Sequence, residues 1–81
     1  MRFVNIGFGN VVNISKIVSV VSPESAPIKR IVQVSKAAST LIDATFGRKC
    51  KAVIITDSEY IVLSALTTET IASRMEEAND A

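Results

Sequence analysis

Apolar positions fall in short β-branched runs over most of the chain and change to a helical spacing in two places. The clearest runs are residues 41–45, 51–56 and 60–65, separated by Gly47 and by Asp57-Ser58, which are the breaks of a three-stranded meander. This meander puts Arg48, Lys49 and Lys51 at or beside one hairpin tip. Earlier, residues 3–6 read as a strand ended by a tight turn at Gly7-Phe8-Gly9-Asn10, and Val11-Val12 as a second short strand. Residues 16–22 form a strand with apolar side chains on both faces, as a central or interface strand has, and Lys16 stands at its exposed start. A 3.6-residue period follows. Ser25 serves as N-cap and Pro27 sits in the first turn, where its missing N–H costs nothing. Ile28, Ile31, Val32, Val34, Ser35 and Ala38 then make one side of a helix, and Lys29, Arg30, Gln33, Lys36 and Thr40 the other. Thr67 caps a second helix with Glu69 in its first turn and an apolar stripe of Ile71, Ala72, Met75 and Ala78. Its acidic end, residues 76–81, is expected to fray. The pattern predicts a single α+β domain over residues 1–81, a small antiparallel sheet of about five short strands with two helices.

Composition adds a surplus. The chain has 81 residues, 48% of them hydrophobic, with mean hydropathy +0.36 and twenty Val or Ile. A domain of this size buries only about 60% of the surface its unfolded chain exposes, so so much aliphatic surface points to self-association into a homo-oligomer. No aliphatic run approaches the roughly 20 residues of a membrane span, and the N-terminal ten residues lack the apolar core of a signal peptide, so a soluble cytoplasmic protein is expected. Net charge is only +1, yet residues 1–56 hold eight cations against two carboxylates, and residues 57–81 hold one against six. One region attracts polyanions and another does not.

Candidate chemistry is narrow. The chain has no His and one Cys, which removes a Cys–His nucleophile and a His-containing metal site, so neither catalysis, metal nor cofactor is expected. Cys50 lies between Lys49 and Lys51, where neighbouring cations favour a thiolate; the plainer reading is a small apolar strand residue. Asp57 and Glu59 share a turn where Asp is an ordinary turn former, and nothing in their spacing builds a shared acid/base pocket. The Gly7–Asn10 turn invites a phosphate-binding reading, although no Gly-Lys-Ser/Thr follows it. Arg48, Lys49 and Lys51 read either as a solubilising device or as contacts to phosphate, and an assembly that repeats them multiplies a weak contact. The basic helix face, with Lys29 and Arg30, is a secondary candidate for DNA. Three function classes follow: a DNA-binding oligomer, a protein-interaction module that docks through an apolar face, and a small-anion or nucleotide sensor.

The blocks FVNIGFGNVV, IVSVVSPESAPIKRIVQ, LIDATFGRK and AVIITDS, with VLSA and ETIA, resemble the RemA family of small bacterial regulators of extracellular-matrix genes, over roughly residues 3–74. The resemblance implies a DNA-binding transcriptional regulator of biofilm-matrix genes, a ring-shaped homo-oligomer with double-stranded DNA on its outside, a monomer likened to LytTR-type DNA-binding domains, and a nucleoid-associated location. It implies Lys16, Arg48 and Lys49 as the DNA-contacting positions, with Lys51 continuing the patch. Pro27 and Gly47 are assigned to folding or subunit contact. The chain departs from the family pattern at the helix end, where Val34, Ala37, Ala38 and Ser39-Thr40 replace a more charged stretch and a Gly. Phe46 stands where Tyr is common, Cys50 where Thr is common, and Lys16 and Lys49 where Arg is frequent. A Lys suits phosphate contact better than bidentate reading of a guanine edge.

Overall fold

The computed structural model describes residues 2–80, the side chains of Asn79 and Asp80 excepted; Met1 and Ala81, the last residue of the acidic tail, lie outside the described residues. The elements are β1 (Phe3–Gly7), β2 (Asn10–Asn13), a 3-10 turn (Ile14–Lys16), β3 (Ile17–Val21), α1 (Ala26–Ala37), β4 (Leu41–Asp43), β5 (Ala52–Thr56), β6 (Ile61–Ser64) and α2 (Thr68–Asp80). The α+β class and two helices stand. The strand count and the single antiparallel sheet do not: six strands form a two-stranded hairpin, β1-β2, and a mixed four-stranded sheet in the order β3-β5-β6-β4.

The meander is therefore corrected. β5 and β6 are an antiparallel hairpin, but β4 pairs with β6 in parallel, Leu41 opposite Ile61 and Asp43 opposite Leu63, and β6 stands between β4 and β5. Residues 44–51 cross over from one side of β6 to the other, so the basic residues sit on a crossover loop and not on a hairpin tip. Alternation alone could not separate the two arrangements, because the same apolar strand fits beside either neighbour.

Registry sorts the sheet into two faces. Ala52, Ile54, Val62 and Ser64 point to one side, where the β1-β2 hairpin and α2 cover them. There Val4, Ile6, Ala52, Ile54 and Ile71 are buried almost completely, with Ala44 and Val62 nearly so. Val53 and Leu63 point to the other side, where they share a groove with Val32 of α1.

Helix α1 starts as its sequence requires, with the Ser25 hydroxyl accepting from the Ile28 N–H at 3.4 Å and Pro27 in the first turn. Its apolar stripe, however, is split. Ile28, Val32 and Ser35 turn inward, whereas Ile31, Val34 and Ala38, about 90° around the helix, stay exposed. The helix stops at a Schellman-type cap: the Thr40 N–H donates to the Ser35 carbonyl at 2.9 Å, with Ser39 at φ 60° in the left-handed position that Gly favours. At α2 the Thr67 hydroxyl accepts from the Thr70 N–H at 3.2 Å, as the capping pattern requires. Ile71 is buried, Ala72 is exposed, and the helical backbone continues through the acidic residues to Asp80.

Candidate nucleic-acid interface

The crossover loop is pinned before it becomes basic. Asp43 Oδ1 accepts from both the Thr45 hydroxyl, at 2.6 Å, and the Thr45 N–H, at 2.9 Å, and Thr45 itself is buried. These two bonds, the hydroxyl's first, hold the Asp43 carboxyl below its ordinary range. The Thr45 carbonyl then accepts from the Arg48 N–H at 3.0 Å, closing a four-residue turn whose central residues, Phe46 and Gly47, have φ 55° and 78°. Positive φ at both central positions is the type I′ signature, which favours Asn-Gly. A Phe held there costs about 1–2 kcal/mol. No heavy atom lies within 4 Å of where a Gly47 Cβ would stand, so that glycine is required by backbone angle and not by space.

The β1-β2 turn repeats the design. Gly7 pairs with Asn10 across a two-residue loop, Phe8 at φ 54° and Gly9 at φ 79°. The two Phe-Gly turns meet, the Phe8 and Phe46 rings stacking with centroids 5.3 Å apart and planes 17° from parallel. The Arg48 guanidinium carbon stands 5.9 Å from the Phe8 centroid. Phe8, Arg48, Lys49 and Lys51 line one shallow depression floored by Ala65 and Leu66. The buried Ser64 anchors this end of the fold. Its hydroxyl donates to the Ile6 carbonyl at 2.9 Å and accepts from the Leu66 N–H at 3.0 Å, and its own carbonyl accepts from the Lys51 N–H at 2.9 Å.

Arg48, Lys49 and Lys51 are thus brought together, all exposed. Lys16 is not with them. It lies at the far end of β5, where its carbonyl accepts from the Asp57 N–H at 2.9 Å, about 20 Å along the strand from Lys51. Asp57 and Glu59 occupy the β5-β6 turn beside it, as the sequence placed them. Lys29 approaches the loop from α1, lining a groove with Cys50, whereas Arg30 lines a different groove with Pro27, Ile31 and Val34. Arg74 is engaged with the Asn5 carbonyl at 3.1 Å. Burial pushes the Cys50 thiol up, in keeping with the plainer reading of a small apolar residue, although it precedes β5 and does not lie in a strand; its Sγ–H donates to the Ala52 carbonyl at 3.4 Å. The Gly7 N–H donates to Asn5 Oδ1 at 2.8 Å, and Asn10 Nδ2 donates to the Gly7 carbonyl at 3.0 Å, so this turn spends polar groups on itself.

A profile of the RemA-like family, described as extracellular matrix regulatory protein A-like, matches residues 3–75. The chain belongs to the RemA-like family. A provisionally named regulatory protein of Brevibacillus brevis is 54% identical over 80 residues, covering 99% of this chain and 93% of its own length. Similarly named relatives are 59% identical over 75 residues in Symbiobacterium thermophilum, covering 93% of this chain and 79% of the relative, and 55% identical over 82 residues in Acetivibrio thermocellus, covering 99% and 88%. A regulatory role is what this RemA-like membership supports. No helix among the described residues is long and apolar enough to cross a membrane.

Sequence reasoning found the cations of this RemA-like chain but missed the aromatic pair beside them. Their trace was present, since Phe-Gly occurs at residues 8–9 and again at 46–47.

Proposed function

We propose that the chain is a transcriptional regulator of extracellular-matrix genes that binds double-stranded DNA in the cytoplasm, within the nucleoid, as a homo-oligomeric ring. Arg48 and Lys49 supply the primary phosphate contacts, Lys51 extends them, and Lys16 forms a second patch on the same subunit. Lys29 and Arg30 are secondary contacts, and the LytTR-type likeness of the monomer is part of the proposal. The observation that carries it is the gathering of three exposed cations on a loop held by Asp43, Thr45 and Ser64. A preorganised cationic loop loses little entropy on meeting a phosphate backbone. So few cations per subunit give weak binding alone, so repetition around a ring supplies affinity, and DNA shape supplies part of the specificity.

Assembly is supported by what α1 leaves outside. Ile31 and Val34 stay exposed, Val34 at 62%, along an open groove of about 510 Å³ that Ala26 and Pro27 also line. Val18 on the edge strand β3 is exposed at 66%. The same groove favours the second reading, a protein-interaction module with the cations serving solubility. A gel shift with long and short duplexes separates the two: a wrapping ring retains the long duplex far better, and a docking module retains neither.

A further inference from the structure

We infer that the stacked Phe8-Phe46 pair is an aromatic wedge, with the outer face of Phe46 pressed against a base-pair step while Arg48 and Lys49 hold the flanking phosphates; this rests on the DNA-binding reading above. Phe46 is 80% exposed and Phe8 49%, although both are large apolar side chains and the core is close by. Both are held at positive φ, where a bulky residue is an outlier and Asn would sit at ease, and such strain gathers at functional positions. Two turns 38 residues apart adopt the same strained form and deliver their rings to one spot, which local folding alone does not call for. The rings already touch, so Phe8 backs Phe46 and leaves the outer face of Phe46 free. The surroundings select the partner: Arg48, Lys49 and Lys51 share the depression with Phe8, a charge environment that suits a polyanion. An apolar side chain beside phosphate contacts is the arrangement with which proteins unstack and kink a duplex, most readily at flexible TA and CA steps.

The test uses the full chain, Phe46→Asn, and duplexes carrying 2-aminopurine at a central TA step. Asn suits the left-handed turn position, so Phe46→Asn is expected to fold with a thermal midpoint no lower than the native one and to keep its molar mass by light scattering. Native protein should raise the 2-aminopurine fluorescence and shorten the end-to-end distance of a doubly labelled duplex. Phe46→Asn should lose both changes and about tenfold in affinity for the TA duplex while keeping the native salt dependence, and Phe46→Leu should restore the bend. Equal fluorescence with Phe46→Asn and native protein overturns the wedge. A native protein that binds the duplex without disturbing the probe overturns it too, leaving the phosphate-binding reading intact, whereas loss of the oligomer in Phe46→Asn would make the ring a subunit contact instead. A native protein that binds no duplex sinks both readings.

Discussion

The helices on the two faces of the four-stranded sheet use their apolar side chains differently, although the centre of the sheet, Val53 and Ile54 alike, is buried on both. On one, the hairpin and α2 bury Val4, Ile6, Ile54 and Ile71 almost completely, and Ile42 at the β4 edge stays half exposed. On the other, α1 turns Ile28, Val32 and Ser35 inward but leaves Ile31 and Val34 in solvent. Both faces contribute to the folded unit, through Ile54 on one and Val53 on the other. The side chains that α1 leaves outside are the apolar surface on which the proposed assembly rests.

Substitutions on the two faces should therefore act on different quantities. The largest loss of stability is expected from Ile71→Ala, about 2–5 kcal/mol, because the vacated volume lies in the closed core; urea unfolding measures it. On the open side, Ser39→Gly should stabilise by about 1 kcal/mol, since the α1 cap holds Ser39 at φ 60°, and the thermal midpoint should rise. A smaller effect comes with acid. The Asp43 carboxyl is held below its ordinary 3.8 by the Thr45 hydroxyl and N–H, so its contribution is complete above that value and is lost as pH falls through the lowered one. Midpoints of native protein and Asp43→Ala measured from pH 7 downward should differ at neutrality and converge as pH falls through the lowered value. Smallest for the subunit is Val34→Glu, within about 0.5 kcal/mol of native because the position is exposed. Its molar mass by light scattering should fall all the same, and an unchanged mass would remove this face from the assembly.

The sequence already contained much of the local structure. The Ser25 cap, Pro27 in the first turn, the Thr67 cap and the Asp57-Ser58 turn are fixed by side-chain chemistry within a few residues, and all are present. Non-local pairing was less legible. Period-two alternation identifies β4 as a strand but carries no information on whether β5 or β6 is its neighbour, so the crossover loop read as a hairpin tip. The split stripe of α1 was hidden for a similar reason: Ile31 and Val32 are equally apolar, and only the position of the sheet decides which is covered. Arg48, Lys49 and Lys51 were visible as charge. Their distance from Lys16 depends on the β3-β5 pairing, and the meeting of Phe8 with Phe46 depends on the contact between two loops, neither of which a linear pattern records.

The central claim is that the pinned cationic loop binds DNA through its phosphates, and equilibrium binding of native protein and the Arg48→Ala/Lys49→Ala variant to one long duplex across a salt series tests it most directly. The account predicts unchanged folding and a log–log salt slope shallower by about two for each subunit engaged; equal affinity and equal slope for the two proteins would contradict it.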